Sequence, residues 1–250
     1  MRTVVVGAST GLGRCIGIGL AQRGARVALL ARTLDKLESA AQEAGNGAVA
    51  IACDVTDEPA CRAAIAKAAA DLGGIDAFVY TPAIGPLARL AETDADTWQR
   101  TFATNVTGAA IATSAALPAL TESSGTAVFL SSVSASLTPP WPGLGAYAVS
   151  KAALDKLVEA WRVEYPGVGF TRLVVGDCAG GEGDGMTHFA NAWDPDLAVE
   201  VGQQWVSRGY LSGSLIDVAE VVSVVDAIAR CGATASLPSV TIAPRPPTGG

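Results

Sequence analysis

The stretch Thr3-Val4-Val5-Val6-Gly7-Ala8-Ser9-Thr10-Gly11-Leu12-Gly13 joins a β-branched run to a glycine-rich turn and then to a longer apolar-periodic run. Valines on successive positions suit a strand buried on both faces, as in a parallel sheet covered by helices. The glycines let the chain turn sharply and let its backbone approach an anion closely. A helix starting at such a turn aims its unpaired N–H groups and the positive end of its dipole at that anion. Without a ligand the loop would be no more than a tight turn. Its place after a first strand favours a nucleotide, with Gly7, Ser9, Thr10, Gly11, Leu12 and Gly13 as cofactor-binding candidates.

The same alternation continues outward. Strands are predicted at Thr3–Val6, Arg26–Ala31, Ala48–Cys53, Ile75–Tyr80, Thr126–Ser131, Gly169–Val175 and Ser239–Ala243. Helices are predicted between them, at Gly11–Arg23, Leu34–Ala44, Glu58–Leu72, Asp94–Leu117, Ala146–Glu164 and Asp217–Arg230. Right-handed crossovers turn this order into an α/β fold, a Rossmann-like doubly wound parallel sheet of about seven strands. No linker-like composition divides the chain, so residues 1–250 read as one domain. The stretch 179–215 breaks the rhythm with Gly, Asp and aromatics, after a late strand. Ligands bind at that edge of such sheets, so it is the candidate substrate lid.

Composition narrows the function. A net charge of -7 offers no basic stripe for nucleic acid. No apolar run is long enough to cross a membrane or act as a leader, and a cytoplasmic protein is expected. The five cysteines are scattered, odd in number and without metal-ligand spacing, so free thiols are expected and no metal. His188 is the only histidine, which excludes metal sites built on several and disfavours a Ser-His-Asp triad.

The end of the second strand bears on the cofactor. A carboxylate there would bond a ribose 2′-hydroxyl and repel a 2′-phosphate, but the chain has Ala31 and then Arg32. A guanidinium forms paired bonds to phosphate, so NADP(H) is expected, although Arg32 would equally serve as a solvated surface charge. Asp54 and Val55 follow the third strand. Asp54 is either a contact to the adenine or a loop-turn and capping residue.

Tyr147-Ala148-Val149-Ser150-Lys151 carries the chemistry. A spacing of four puts Tyr147 and Lys151 on one helix face. A nearby ammonium favours the phenolate, so the phenol can exchange a proton with a carbonyl or alcohol oxygen. Alone, such a pair is equally a half-buried tyrosine beside a surface lysine.

Three more landmarks stand in order with it: the Gly-x-x-x-Gly-x-Gly loop, Asn105-Val106-Thr107-Gly108, and Ser131-Ser132-Val133-Ser134. Together they resemble the short-chain dehydrogenase/reductase family, NADP(H)-preferring subgroup, over nearly the whole chain. The resemblance implies an oxidoreductase with a tetrad of Asn105, Ser132, Tyr147 and Lys151. Asn105 would hold a water leading to Lys151, and Lys151 would bind the nicotinamide ribose. The serine would polarise the substrate oxygen. The usual spacing to the tyrosine selects Ser134; the strand end selects Ser132, which is preferred. Gly176 aligns with the glycine that follows strand six in the family. Asn105, Tyr147, Lys151 and Gly176 therefore also count as cofactor contacts.

Two segments depart from the pattern. Tyr80-Thr81-Pro82-Ala83 replaces the family's Asn-Asn-Ala-Gly, and Val175-Gly176 replaces Pro-Gly. Trp141, Trp193 and Trp205 fall in substrate-facing stretches and suggest an apolar ketone or aldehyde, or the matching alcohol. A homo-oligomer, dimer or tetramer, is implied by the resemblance. Two other functions remain: a regulatory or scaffolding protein that binds NADP(H) without turnover, and an imine or activated-alkene reductase.

Overall fold

The computed structural model describes residues 1–211 and 213–245. Ser212 of the expected lid, and the last five positions of the expected 1–250 domain, lie outside the described residues. Seven parallel strands form one sheet in the order β3-β2-β1-β4-β5-β6-β7. They are β1 (Arg2–Val6), β2 (Arg26–Ala31), β3 (Val49–Ala52), β4 (Ala77–Tyr80), β5 (Thr126–Ser132), β6 (Gly169–Val175) and β7 (Ser239–Ile242). The order reverses beside β1, and the crevice beyond the strand ends opens between β1 and β4.

Strand periodicity decides which side chains meet which helices. Val4, Val6, Ala28, Leu30, Phe78, Tyr80, Ala127 and Phe129 face one layer. That layer holds α3 (Glu58–Leu72), α5 (Gly108–Ser123) and α7 (Gly145–Glu164). Val5, Val27, Leu29, Val79, Val128 and Leu130 face the other. There they meet α1 (Gly11–Gln22), α2 (Leu34–Ala44) and α9 (Val218–Ala229). Alternation by two on strands buried on both faces therefore yields two cores, one on each side of the sheet.

The predicted helix Asp94–Leu117 is three pieces: α4 (Ala95–Phe102), a wide π turn at Ala103–Thr107, and α5. Asp94 caps α4 by accepting from Thr97 N–H at 2.8 Å. The wide turn falls where Asn105 is buried and bonded sideways, and such turns gather at functional positions. Gly108 follows it, and a methyl there would come within 2.8 Å of the Tyr80 hydroxyl and 2.9 Å of Val55.

Two further helices were not foreseen. The four-residue α6 (Val133–Ser136) follows β5, and α8 (Pro195–Ser207) lies inside the long segment after β6. The start of α8 is ordinary: Asp194 accepts from Leu197 N–H at 2.9 Å and Pro195 stands in the first turn. Trp205 and Val201 on its inner face are buried.

Candidate active site

The glycine turn is built by backbone. Gly7 has φ 84° and Gly11 φ 59°, both left-handed. At Gly13 the constraint is space, because an added Cβ would overlap the Gly7 carbonyl oxygen and the Thr81 hydroxyl. Thr10 precedes α1 in extended conformation without capping it through its side chain, and the first turn holds no acidic residue. The helix end therefore faces the cleft with donors and positive charge unmet by any carboxylate of that turn, an arrangement suited to a pyrophosphate.

That cleft has a volume of about 1020 Å³. Gly7, Ser9, Thr10, Gly11, Leu12, Gly13, Arg32, Asp54, Val55, Tyr147, Lys151 and Gly176 all line it, as do Ser132 and Ser134. Asn105 is not among its walls. Arg32 is exposed at the rim and close enough to Asp54 to help hold that carboxyl below its usual range. The larger cause is Thr56, whose hydroxyl and N–H both donate to Asp54 Oδ1, at 2.7 and 2.9 Å. Asp54 thus closes a loop turn, while Asp57 caps α3 through Ala60 N–H at 3.0 Å. Lys36, also in the wall, pairs with Asp184 at 2.9 Å and ties α2 to the segment after β6.

The altered segment after β4 is rebuilt with other bonds. Thr81 Oγ1 donates to Val6 O at 2.7 Å and Thr81 N–H to the same oxygen at 3.1 Å. Tyr80 is fully buried and donates its hydroxyl to Thr104 O at 2.6 Å. These bonds lock β4 to β1 and to the π turn, below the glycine loop.

At the other end of the cleft, Lys151 is 2% exposed and donates to Leu130 O at 2.7 Å. Its Nζ lies 5.8 Å from the centre of the Tyr147 ring. Burial lowers the ammonium to about 8, with Asp155 one turn further along pulling the other way. Burial pushes the Tyr147 phenol up to about 12, and the Ser132 hydroxyl beside it pulls the other way. Ser134 lies behind Ser132: their hydroxyls are 3.0 Å apart, and Ser134 N–H donates to Ser132 Oγ at 3.2 Å. Of the two serines, Ser132 is the one whose hydroxyl lies beside the phenol.

Asn105 stands one layer back. Its Oδ1 accepts from Ile84 N–H at 2.8 Å, and its Nδ2 donates to Ile84 O at 2.9 Å and to Ser150 Oγ at 2.8 Å. The side chain is thereby committed to protein partners. It fastens the rim loop to α7 one residue before Lys151.

The apolar end is made by residues far apart in sequence. Trp141, Leu144, Val201 and Trp205 form a third buried cluster, joined by Leu87, Phe189, Trp193, Leu197 and Tyr210. Trp193 Nε1 donates to Gly85 O and Trp205 Nε1 to Pro142 O, at 2.8 and 2.9 Å. The Phe189 ring stands edge-on to Tyr147, 4.8 Å between centres.

Residues 2–181 match the family model described as short chain dehydrogenase. The chain belongs to the short chain dehydrogenase family. Members of this family use a nicotinamide cofactor. A short chain dehydrogenase of Pseudocercospora fijiensis is 35% identical over 172 residues, 66% of this chain and 55% of that protein. The chain thus spans about half the length of that relative. A cis-4-hydroxycyclohexanecarboxylate dehydrogenase of Sinomonas cyclohexanicum is 32% identical over 69% of this chain and 75% of its own. Among solved structures, a dehydrogenase/reductase from Sinorhizobium meliloti superposes with a TM-score of 0.79 at 28% identity, over 96% of this chain and 92% of that one. An alcohol dehydrogenase from Thermococcus sibiricus, complexed with 5-hydroxy-NADP, gives 0.80 at 23% identity, over 96% and 94%, and shows the shared fold.

In this short chain dehydrogenase, sequence reasoning missed Phe189, Gly85 and Lys36. Each acts through a partner distant in sequence, and no spacing rule joins such pairs. Cys178 lines the cleft, but burial pushes its thiol up and disfavours the reactive thiolate. Among the described residues no cluster of His, Cys, Asp and Glu suits a metal, and no helix is long and apolar enough to cross a membrane.

Proposed function

We propose that this dehydrogenase interconverts an apolar ketone or aldehyde and its alcohol with NADP(H). The observation that carries the reading is Tyr147 beside the Ser132 hydroxyl, with the buried Lys151 ammonium 5.8 Å from its ring, in the wall of a cleft that also contains the glycine turn. When bound, a nicotinamide dinucleotide supplies or accepts the hydride. Tyr147 is the group that gives a proton to the carbonyl oxygen, or takes one from the alcohol. Ser132 donates a hydrogen bond to that oxygen, stabilising the charge that gathers there. Lys151 lowers the cost of a phenolate at Tyr147, and its remaining N–H bonds are available to a ribose. A water relay at Asn105 would use the backbone carbonyl, since the side chain is committed to Ile84 and Ser150.

NADP(H) over NAD(H) is supported by Arg32, whose guanidinium lines the cleft beside β2 with no carboxylate at Ala31 to repel a 2′-phosphate. Segment 179–215 would act as the lid. Val149 and Val163, exposed on α7, support pairing of copies through α7 and α5. A binding-only role drew its main support from the altered Tyr80–Ala83 segment. The Thr81 and Tyr80 bonds, which hold that segment to β1 and the π turn, weaken this support.

The test is absorbance-monitored NADPH oxidation with a panel of ketones and aldehydes. Tyr147→Phe should lower turnover about 100-fold or more while leaving NADPH affinity near that of the wild type. Arg32→Asp should weaken NADPH at least about tenfold more than NADH. Full activity in the first variant, or equal losses for both nucleotides in the second, would refute the corresponding assignment.

A further inference from the structure

Phe189 is an unusual residue in the segment after β6. Its neighbours Met186, Thr187, His188, Ala190, Asn191 and Ala192 are exposed, whereas Phe189 is half-buried; Thr187, His188 and Ala192 line the cleft with it, but only Phe189 brings a ring against Tyr147. The turn that presents it is held by its own bonds: Phe189 N–H to Thr187 Oγ1 at 3.3 Å, Asn191 N–H to His188 O at 3.2 Å and Trp193 N–H to Ala190 O at 3.1 Å. One edge of the ring meets Tyr147, and Trp193 meets it from behind, 5.5 Å between centres.

The seat of that ring is Gly85. This glycine has no left-handed φ, so its backbone does not need the absence of a side chain. Space does need it, because a Cβ at Gly85 would overlap the edge of the Phe189 ring, at Cζ and Cε2. Gly85 O also accepts from Trp193 Nε1, which fixes the loop beneath Phe189. A glycine without a backbone reason and an inward phenylalanine in an exposed turn thus explain each other.

We infer that Phe189, seated on Gly85, sets the bulk of the larger group that a carbonyl at Tyr147 can carry. The inference rests on the carbonyl reading given above and narrows it. A group bonded to a carbon whose oxygen lies at Tyr147 and Ser132 has the Phe189 ring as its neighbour. On this inference the ring is a wall that admits a flat single ring and excludes a fused second one. The substrate class is therefore a carbonyl bearing one planar or cyclic group and one small group. Gly85 acts through Phe189 as a positioning residue.

The experiment compares acetophenone with 2-acetonaphthone by kcat/KM, with calorimetric binding to the NADP-loaded protein as a second readout. Wild type, Phe189→Ala, Gly85→Ala and the double variant are measured. Wild type should favour acetophenone, and Phe189→Ala should shift the ratio toward 2-acetonaphthone by about tenfold or more, the scale at which pocket size discriminates. Gly85→Ala should impair both ketones in the wild-type background and have little effect once Phe189 is alanine, a coupling that independent structural damage would not give. An active wild type whose ratio is unchanged in Phe189→Ala overturns the inference and leaves the carbonyl reading standing. A wild type that neither reduces nor binds either ketone overturns this substrate class. Loss of all carbonyl turnover across the wider panel would instead remove the carbonyl reading itself.

Discussion

The two ends of the cleft are made differently. At the nucleotide end the surface is backbone: Gly7, Gly11 and Gly13 remove side chains so that the chain itself can turn and bind. At the aromatic end the surface is side chain: Trp141, Phe189, Trp193 and Trp205 come from two loops and α8, and meet only in the folded protein. A backbone site needs a particular residue at a particular place and tolerates no addition. An aromatic cluster spreads its contacts over several rings, so each ring is replaceable at moderate cost.

The largest expected effect tests the first half of that contrast. Gly13→Ala forces a methyl against the Gly7 carbonyl and Thr81, so the turn must shift. Overpacking of this kind costs about 1–3 kcal/mol, and the displaced donors should lower NADPH affinity about 100-fold by calorimetry. An affinity within threefold of wild type would mean that the loop is adaptable and the contrast false.

The seam between the ends gives a pH-dependent effect. Lys151 titrates near 8 when folded and near 10.5 when unfolded, so between those values the unfolded chain binds more protons. Stability should then rise with pH across that window. Tyr147 works oppositely above pH 10, where an unfolded phenol ionises and the folded one, near 12, does not. Urea unfolding of the nucleotide-free protein should show a gain of roughly 2 kcal/mol from pH 8 to 10, flattened in Lys151→Met. A flat wild-type profile would place the ammonium in water, not in the seam.

The smallest effect is expected at the aromatic end. Trp193→Phe removes the bond to Gly85 O but keeps a ring in the cluster, and should cost about 1 kcal/mol of stability with kcat/KM changed only a fewfold. Collapse of activity would show that the aromatic end is as exacting as the glycine end.

This difference also explains what the sequence made legible. The strands, their order and the glycine turn follow from periods and spacings within a few residues, and Tyr147 and Lys151 meet because a helix repeats every 3.6 residues. The break at Asn105 was hidden, because the side-chain bonds that accompany it reach Ile84 and Ser150. Ser132 and Ser134 could not be separated by counting, whereas their order behind Tyr147 is a matter of strand geometry. Strand ends shifted by a residue or two, as with β4 beginning at Ala77 where Ile75 was expected. Helix α8 escaped notice because its inward face contributes few residues, Val201 and Trp205.

The rings from Tyr147 through Phe189, Trp193, Trp205 and Trp141 to Tyr210 stand 4.8, 5.5, 5.9, 5.3 and 5.9 Å apart, centre to centre. At such spacings an electronic excitation does not stay on the ring that absorbed it. Three of the five tryptophans therefore share one optical fate, while Trp98 and Trp161 sit among other rings. Anything that parts Phe189 from Tyr147 cuts this array at its reactive end. The protein's own ultraviolet emission is then expected to change, without any label, when the rings around Phe189 part from Tyr147.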